Sequence, residues 1–273
     1  MMSGTFPLVF SVTSGKGGVG KTNISVNLAV CLAELGKRVV LLDADLGLAN
    51  VDVLLGLTPQ KNIFHLLQGE VSLSEVLFPT PYGFSILPAS SGMAEMCNLS
   101  RGQKLEFLDA LDDVEDDIDC LIVDTGAGIG DNVLYFNQAV QKRLVVFTPE
   151  PTSLIDGYAL IKALKQNHAV EQFDVCINMS PDAKTAKDVF TSVYKACDHF
   201  LSGISLSLAG IIPCDTAVRK AVVRQIPFCI ENPQSFVSTG MKNLAKIVSE
   251  WEIPANQDGN IKIFWKKYLE LEE

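Results

Sequence analysis

The sequence predicts an α/β fold: a doubly wound, mostly parallel sheet flanked by helices. Three observations carry that expectation. Short aliphatic or β-branched runs alternate with helical stripes along the chain, the pattern of strand–helix–strand units. Several of the runs are almost wholly apolar, as strands covered on both faces must be. A glycine-rich turn, Gly15-Lys16-Gly17-Gly18-Val19-Gly20-Lys21-Thr22, stands between the first run and the first stripe.

Taken in order, the expected strands are Leu8–Thr13, Arg38–Asp43, Phe84–Leu87, Cys120–Asp124, Leu144–Thr148, Val175–Met179 and Leu206–Ile212. A helix over Asn23–Leu35 opens directly behind the glycine-rich turn. Ile24, Asn27, Leu28, Cys31 and Leu35 share one of its stripes, and Gly36 stops it. Ser100 and Gln103 fit a capping box ahead of Leu105, Leu108 and Leu111. Two more stripes are Val189, Val193, Cys197 and Phe200, then Val237, Met241, Leu244, Val248 and Trp251. The stretch from Leu46 to Tyr82 shows no clear strand, so short helices and loops are expected there. The acidic cluster Asp112, Asp113, Glu115, Asp116, Asp117 and Asp119 reads as a solvated helix exit before a buried strand. With no internal repeat or low-complexity linker, a single nucleotide-binding domain is expected over 1–255, with a tail over 256–273.

Composition narrows the function. The 273 residues are 48% hydrophobic, with mean hydropathy +0.24, yet the apolar residues fall in short bursts. No run approaches the ~18 to 20 apolar residues that span a bilayer. Met1 to Pro7 contains no basic region and no small-residue cleavage site, so a cytoplasmic location is expected. A formal net charge of -10 makes DNA an unlikely partner, because neutralising phosphates needs a basic face. Seven cysteines, with no C-x-x-C pair, suggest core packing rather than a disulfide framework or metal site. The three histidines show no ligand spacing.

The turn from Gly15 to Thr22 is a full P-loop in its confirming context, after a strand and before a helix. Its glycines let backbone N–H groups close around phosphate oxygens, and the helix N-terminus adds partial positive charge. Lys21 is placed to reach the β- and γ-phosphates, and the Thr22 hydroxyl to bind Mg²⁺. A chance match in a chain this long is on the order of one in a hundred. A ligand-free turn is therefore the weaker reading.

Two apolar runs end in acids beside this loop. Val39-Val40-Leu41-Leu42 leads to Asp43 and Asp45, whose spacing puts both side chains on one face of a strand. Cys120-Leu121-Ile122-Val123-Asp124 resembles a Walker B strand, in which Asp124 holds Mg²⁺ through water. Asp124-Thr125-Gly126-Ala127-Gly128 then brings flexible backbone to the γ-phosphate as a switch. Each acid alone could be a strand-end turn residue; three beside one P-loop argue otherwise.

Lys16 makes the loop resemble the deviant Walker A motif of the MinD/ParA family of dimerising ATPases. The resemblance implies that Lys16 reaches across a dimer interface to the partner's nucleotide, where a cation offsets charge on the transferred phosphoryl group. It further implies that Asp45 positions or activates the attacking water and that Asp43 supports the metal shell. Asn178, Pro213 and Asp215 match positions that flank the base in this family, though ordinary strand ends also account for them. No N-K-x-D pattern is present, so ATP is expected over GTP. The implied cycle is a symmetric ATP-bound homodimer and an ADP-bound monomer.

Four further segments narrow the resemblance to flagellar-number regulators of the FlhG (FleN) type. They are Asp43–Asp52, Leu87–Gly92, Val123–Gly128 and Thr148-Pro149-Glu150-Pro151-Thr152-Ser153, and the likeness covers roughly 8 to 250. It implies the GTPase FlhF, flagellar switch proteins or a flagellar transcriptional activator as partners. Relatives often carry an N-terminal D-Q-A-type motif that stimulates FlhF. Only Met1 to Phe6 precede the first expected strand here and no such motif is present, so the sequence leaves stimulation of FlhF open. In the tail, Ile261, Phe264, Trp265 and Tyr268 share a helical face among Lys262, Lys266 and Lys267, a pattern suited to lying on the inner face of the cytoplasmic membrane. Glu270, Glu272 and Glu273 oppose that reading, and docking on the protein's own core is the alternative.

Three other functions were weighed. An iron–sulfur assembly ATPase of the Mrp kind needs a C-x-x-C pair, and none exists. A nitrogenase-reductase-like carrier needs a cysteine in Thr125–Val133, and that segment has none. A MinD- or ParA-type division-site or partition ATPase shares all of the chemistry and differs only in partners.

Overall fold

The computed structural model describes residues 7–45, 51–68, 70–88 and 118–252. Among them is one eight-stranded sheet in the order β3-β4-β2-β5-β1-β6-β7-β8. The strands are β1 (Leu8–Ser14), β2 (Val39–Ala44), β3 (Phe78–Pro79), β4 (Ser85–Leu87), β5 (Cys120–Ala127), β6 (Lys142–Phe147), β7 (Gln172–Ser180) and β8 (Ser205–Pro213). All pairings are parallel except β3 with β4 at the edge. The doubly wound expectation therefore holds.

Alternating strand residues explain the two helical layers. Phe10, Val12, Leu41 and Ile122 point to one face, where they meet α1 (Lys21–Glu34), α9 (Phe228–Glu231) and α10 (Phe236–Ser249). Val9, Leu42, Leu121 and Val123 point to the other, covered by α5 (Asp131–Ala139). On that same side α6 (Pro151–His168) and α7 (Ala183–Phe200) cover β6 and β7 through Val145, Val175 and Ile177. Strands buried on both faces carry apolar residues at nearly every position, which is why they read as continuous runs. Cys31, Cys120, Cys176, Cys197 and Cys229 are buried in this core, and Cys214 is exposed.

Four expectations need correction or completion. The stretch 46–82 holds short helices α2 (Val51–Leu55), α3 (Ile63–Leu67) and α4 (Leu73–Val76), but also strand β3. Two residues with a proline give no periodicity to read, so pairing with β4 alone defines that strand. Thr125, Gly126 and Ala127, expected as flexible backbone, continue β5, because Thr125 pairs with Ala44 of β2 and Ala127 with Ser14 of β1. The helix behind the P-loop starts at Lys21, two residues early, with Gly20 as its N-cap. Asp119 is not merely solvated: it accepts hydrogen bonds from the Arg38 backbone N–H (2.8 Å), Nε (3.2 Å) and Nη2 (3.0 Å). Those bonds to Arg38 hold its carboxyl below the usual range. The helix expected behind Ser100, the rest of the acidic cluster and the tail over 256–273 lie outside the described residues.

The sheet order positions the site. From β1 the chain crosses to β2 on one side, whereas β6, β7 and β8 lie on the other. The crevice at the C-terminal edge of such a switch point is where open α/β sheets bind ligands.

Candidate functional site

The P-loop leaves β1 at Ser14 and enters α1 at Lys21. Its shape depends on two glycines in particular. A Cβ on Gly15 would lie 2.0 Å from the backbone oxygen of Asp156, so the loop rests directly on α6. Gly20 has φ 89°, and a Cβ there would meet Asn178 Nδ2 at 2.6 Å.

Lys21 is only 8% exposed, and its Nζ donates to Ser14 Oγ at 3.0 Å. Burial lowers its pKa, while Asp124 and Asp45 work in the opposite direction. Asp124, 1% exposed, accepts from Ser25 Oγ at 2.8 Å and from the Thr22 hydroxyl. Burial pushes the Asp124 pKa up to about 7; Asp43, its register partner across β2 and β5, adds to the rise, and the two hydroxyls with Lys21 restrain it. A buried carboxylate ringed by hydroxyls and short of positive charge fits a divalent cation carried in with a polyphosphate.

Asp43 is buried and acts locally: Oδ1 accepts from Asp45 N–H (3.3 Å) and Oδ2 from Val51 N–H (3.1 Å). Its carboxylate thus bonds the backbone at both Asp45 and the first residue of α2. Asp45 lines two adjoining cavities. The larger, ~750 Å³, is bounded by Gly17, Gly18, Lys21, Thr22, Met179 and Val223 among others. The smaller, ~400 Å³, runs past Gly126, Ala127, Asp131 and Asn132.

The structure brings Gly17, Gly18, Gly20, Lys21, Thr22 and Asp45 to one cavity, with Asp124 bonded beneath Thr22. Val19 is buried and meets Asn178, whose Nδ2 donates to the Val19 carbonyl at 2.8 Å. Asp215 caps α8 (Thr216–Arg224) by accepting from Ala217 N–H at 2.8 Å, and Pro213 closes β8. Lys16 turns outward: its Nζ donates to Glu150 and, at 2.8 Å, to Thr152 Oγ1 at the start of α6.

Several contributors were not singled out from the sequence. Ser25 lies four residues after Lys21, on the same helical face, and that spacing was a readable signal. Asn137 of α5 links Ser11 (2.7 Å) to Thr13 (3.0 Å), and Thr125 bonds Thr13 in turn (3.0 Å), so a buried polar chain ties α5 to β1 and β5. Met179 adopts φ +54° within β7, where the register with β8 shifts. No side-chain pattern announces a left-handed methionine.

A family described as ParA, NUBPL iron-transfer P-loop NTPases, matches residues 7–249. The chain belongs to the ParA family of P-loop NTPases. Within it, this ParA-type protein is 46% identical to the antiactivator FleN of Pseudomonas aeruginosa, over 96% of this chain and 93% of that one. It is 32% identical to the flagellum site-determining protein YlxH of Helicobacter pylori, over 95% of this chain and 88% of that one. Its fold is similar to the MinC:MinD cell division complex of Aquifex aeolicus, with TM-score 0.71 at 25% identity over 92% of this chain and 99% of that chain. MinD of Pyrococcus horikoshii, solved with Mg-ADP, gives TM-score 0.69 at 22% identity, covering 89% of this chain and 96% of that one. The iron-transfer part of the family description finds no C-x-x-C pair in this ParA-type chain.

Proposed function

We propose that this protein is an ATP-driven dimerising switch that hydrolyses ATP and regulates the number or placement of bacterial flagella. The observation that carries the chemistry is the convergence of Lys21, Thr22 and Asp45 on one cavity, with Asp124 directly below. The P-loop backbone and Lys21 bind the β- and γ-phosphates. Thr22 and Asp124 would hold Mg²⁺, with Asp43 supporting them. When bound, that ion would supply positive charge to offset the charge developing on the phosphates. Asp45, between the two cavities, accepts a hydrogen bond from the attacking water and orients it toward the γ-phosphate. Lys16 of each protomer supplies a cation to the other's nucleotide. Asn178, Pro213 and Asp215 border the base.

The flagellar output is supported by the likeness to the antiactivator FleN and the flagellum site-determining protein YlxH. A flagellar transcriptional activator, FlhF and flagellar switch proteins are the partners to test. Among the described residues no helix is long and apolar enough to cross a membrane. Contact with the inner face of the membrane is assigned to the tail over 256–273, and a tail-less chain that still sediments with liposomes in ATP would refute it. A MinD-type positioning role is the second reading, supported by the MinD-like fold. Flagellar counts in a deletion strain separate the two.

The deciding measurement is solution mass by light scattering with Mg-ADP and Mg-ATP. An ATP-dependent dimer is expected, kept in Asp45→Ala and lost in Lys16→Ala. A monomer throughout would leave a nucleotide site without a switch.

A further inference from the structure

Lys16 is held by its own chain. Its ammonium donates to Glu150 and to Thr152 Oγ1 (2.8 Å), while its carbonyl accepts from Ser14 Oγ (2.7 Å). Both side-chain partners belong to the start of α6, Glu150 as N-cap residue and Thr152 one residue past Pro151. The segment cannot drift away, because Gly15 rests against the Asp156 backbone. The Lys16 side chain is accordingly 32% exposed, against 60% for Glu150.

We infer that Glu150 and Thr152 form a latch that masks Lys16 in the free protomer and must open before two ATP-bound copies join. The inference rests on the reading that Lys16 acts in trans. One ammonium on one stem cannot occupy Glu150 and a partner's phosphates together. Glu150 is built to let go: its carboxylate sits at the positive end of α6, which favours its charge after the lysine has left. It makes no side-chain cap bond to the helix, so the helix does not depend on it. Glu150 and Thr152 are thus positioning residues, acting through where they keep Lys16.

The size of the effect follows from the geometry of a pair. A partly exposed ion pair holds its partners about two- to fivefold in equilibrium. A symmetric dimer opens two latches, so the factors multiply to about fourfold to twenty-five-fold.

The test uses the full chain carrying Asp45→Ala, so that ATP persists, with and without Glu150→Gln and Thr152→Val. Two quantities are read. In nucleotide-free protein, amine labelling of Lys16 followed by mass spectrometry should quicken in Glu150→Gln and more in the double variant. With Mg-ATP, the protein concentration at half-dimerisation should fall about fourfold to twenty-five-fold in the double variant, the gap narrowing as salt screens the ion pair. Unchanged labelling would overturn the latch. Faster labelling with equal or weaker dimerisation would overturn its masking role and make Glu150 a contributor to the dimer itself. If the parent never dimerises in ATP, the switch reading fails and masking falls with it. That failure is distinguishable, because labelling alone still responds.

Discussion

Around β1, β2 and β5 the charged groups of the site are buried against one another, whereas around β7 and β8 its polar groups are already bonded to backbone. Lys21, Asp124 and Asp43 share a desolvated pocket; burial lowers the Lys21 pKa and raises that of Asp124, and the Asp43 charge adds to the Asp124 rise. Asn178 instead holds Val19 O, and Asp215 holds the first turn of α8. The first region is therefore strained electrostatically until a ligand brings compensating charge. The second is preformed, and the apolar side chains of Met179, Val222 and Val223 line the cavity beside it. On the proposed reading of the site, the difference makes phosphate affinity and base selectivity separable.

Three substitutions sharpen or break that contrast. If Lys21 holds two phosphates as proposed, Lys21→Ala removes those charge-assisted bonds, and nucleotide affinity measured by calorimetry should drop about a thousandfold, roughly 4 kcal/mol. A loss under tenfold would show that the charged half does not govern binding.

The second prediction concerns pH. The Asp124 pKa is raised to about 7 in the folded protein by burial, against roughly 3.9 for an unperturbed aspartate. Between those values the folded state holds a proton that the unfolded chain has released. Stability of the nucleotide-free protein should therefore fall as pH rises from about 4 to about 7, by on the order of 2–4 kcal/mol, and level off above. Asp124→Asn should remove that slope in thermal melts across the range. An unchanged slope would place the titration elsewhere.

The smallest effect is expected in the preformed half. Met179→Gly relieves a left-handed backbone but adds freedom to the unfolded chain, so stability should change by less than about 1 kcal/mol. Losing the thioether should weaken ATP several-fold and tripolyphosphate not at all. Equal weakening of both would erase the division between the two halves.

The phosphate half was legible because its chemistry is local. A P-loop is eight consecutive residues, and Asp43, Asp45 and Asp124 each close an apolar run beside it. Ser25 follows Lys21 by four residues, one helical turn, and is legible from that spacing. Asn137, Ser11, Thr13 and Thr125 were not legible, since their chain joins residues more than a hundred positions apart. The same separation hid Glu150 and Thr152 as partners of Lys16, even though Thr148–Ser153 stood out as a motif.

By itself the sequence determined the strand and helix alternation, the P-loop and its lysines, and which acids end at the sheet's edge. Those features follow from periodicity and from short-range backbone chemistry, which neighbouring residues dictate. Tertiary structure alone decided that Asp124 is deprived of water, that Asn178 braces the P-loop, and where Lys16 rests. Desolvation and long-range hydrogen bonds depend on which distant segments meet, and only the folded sheet brings α6 against the loop.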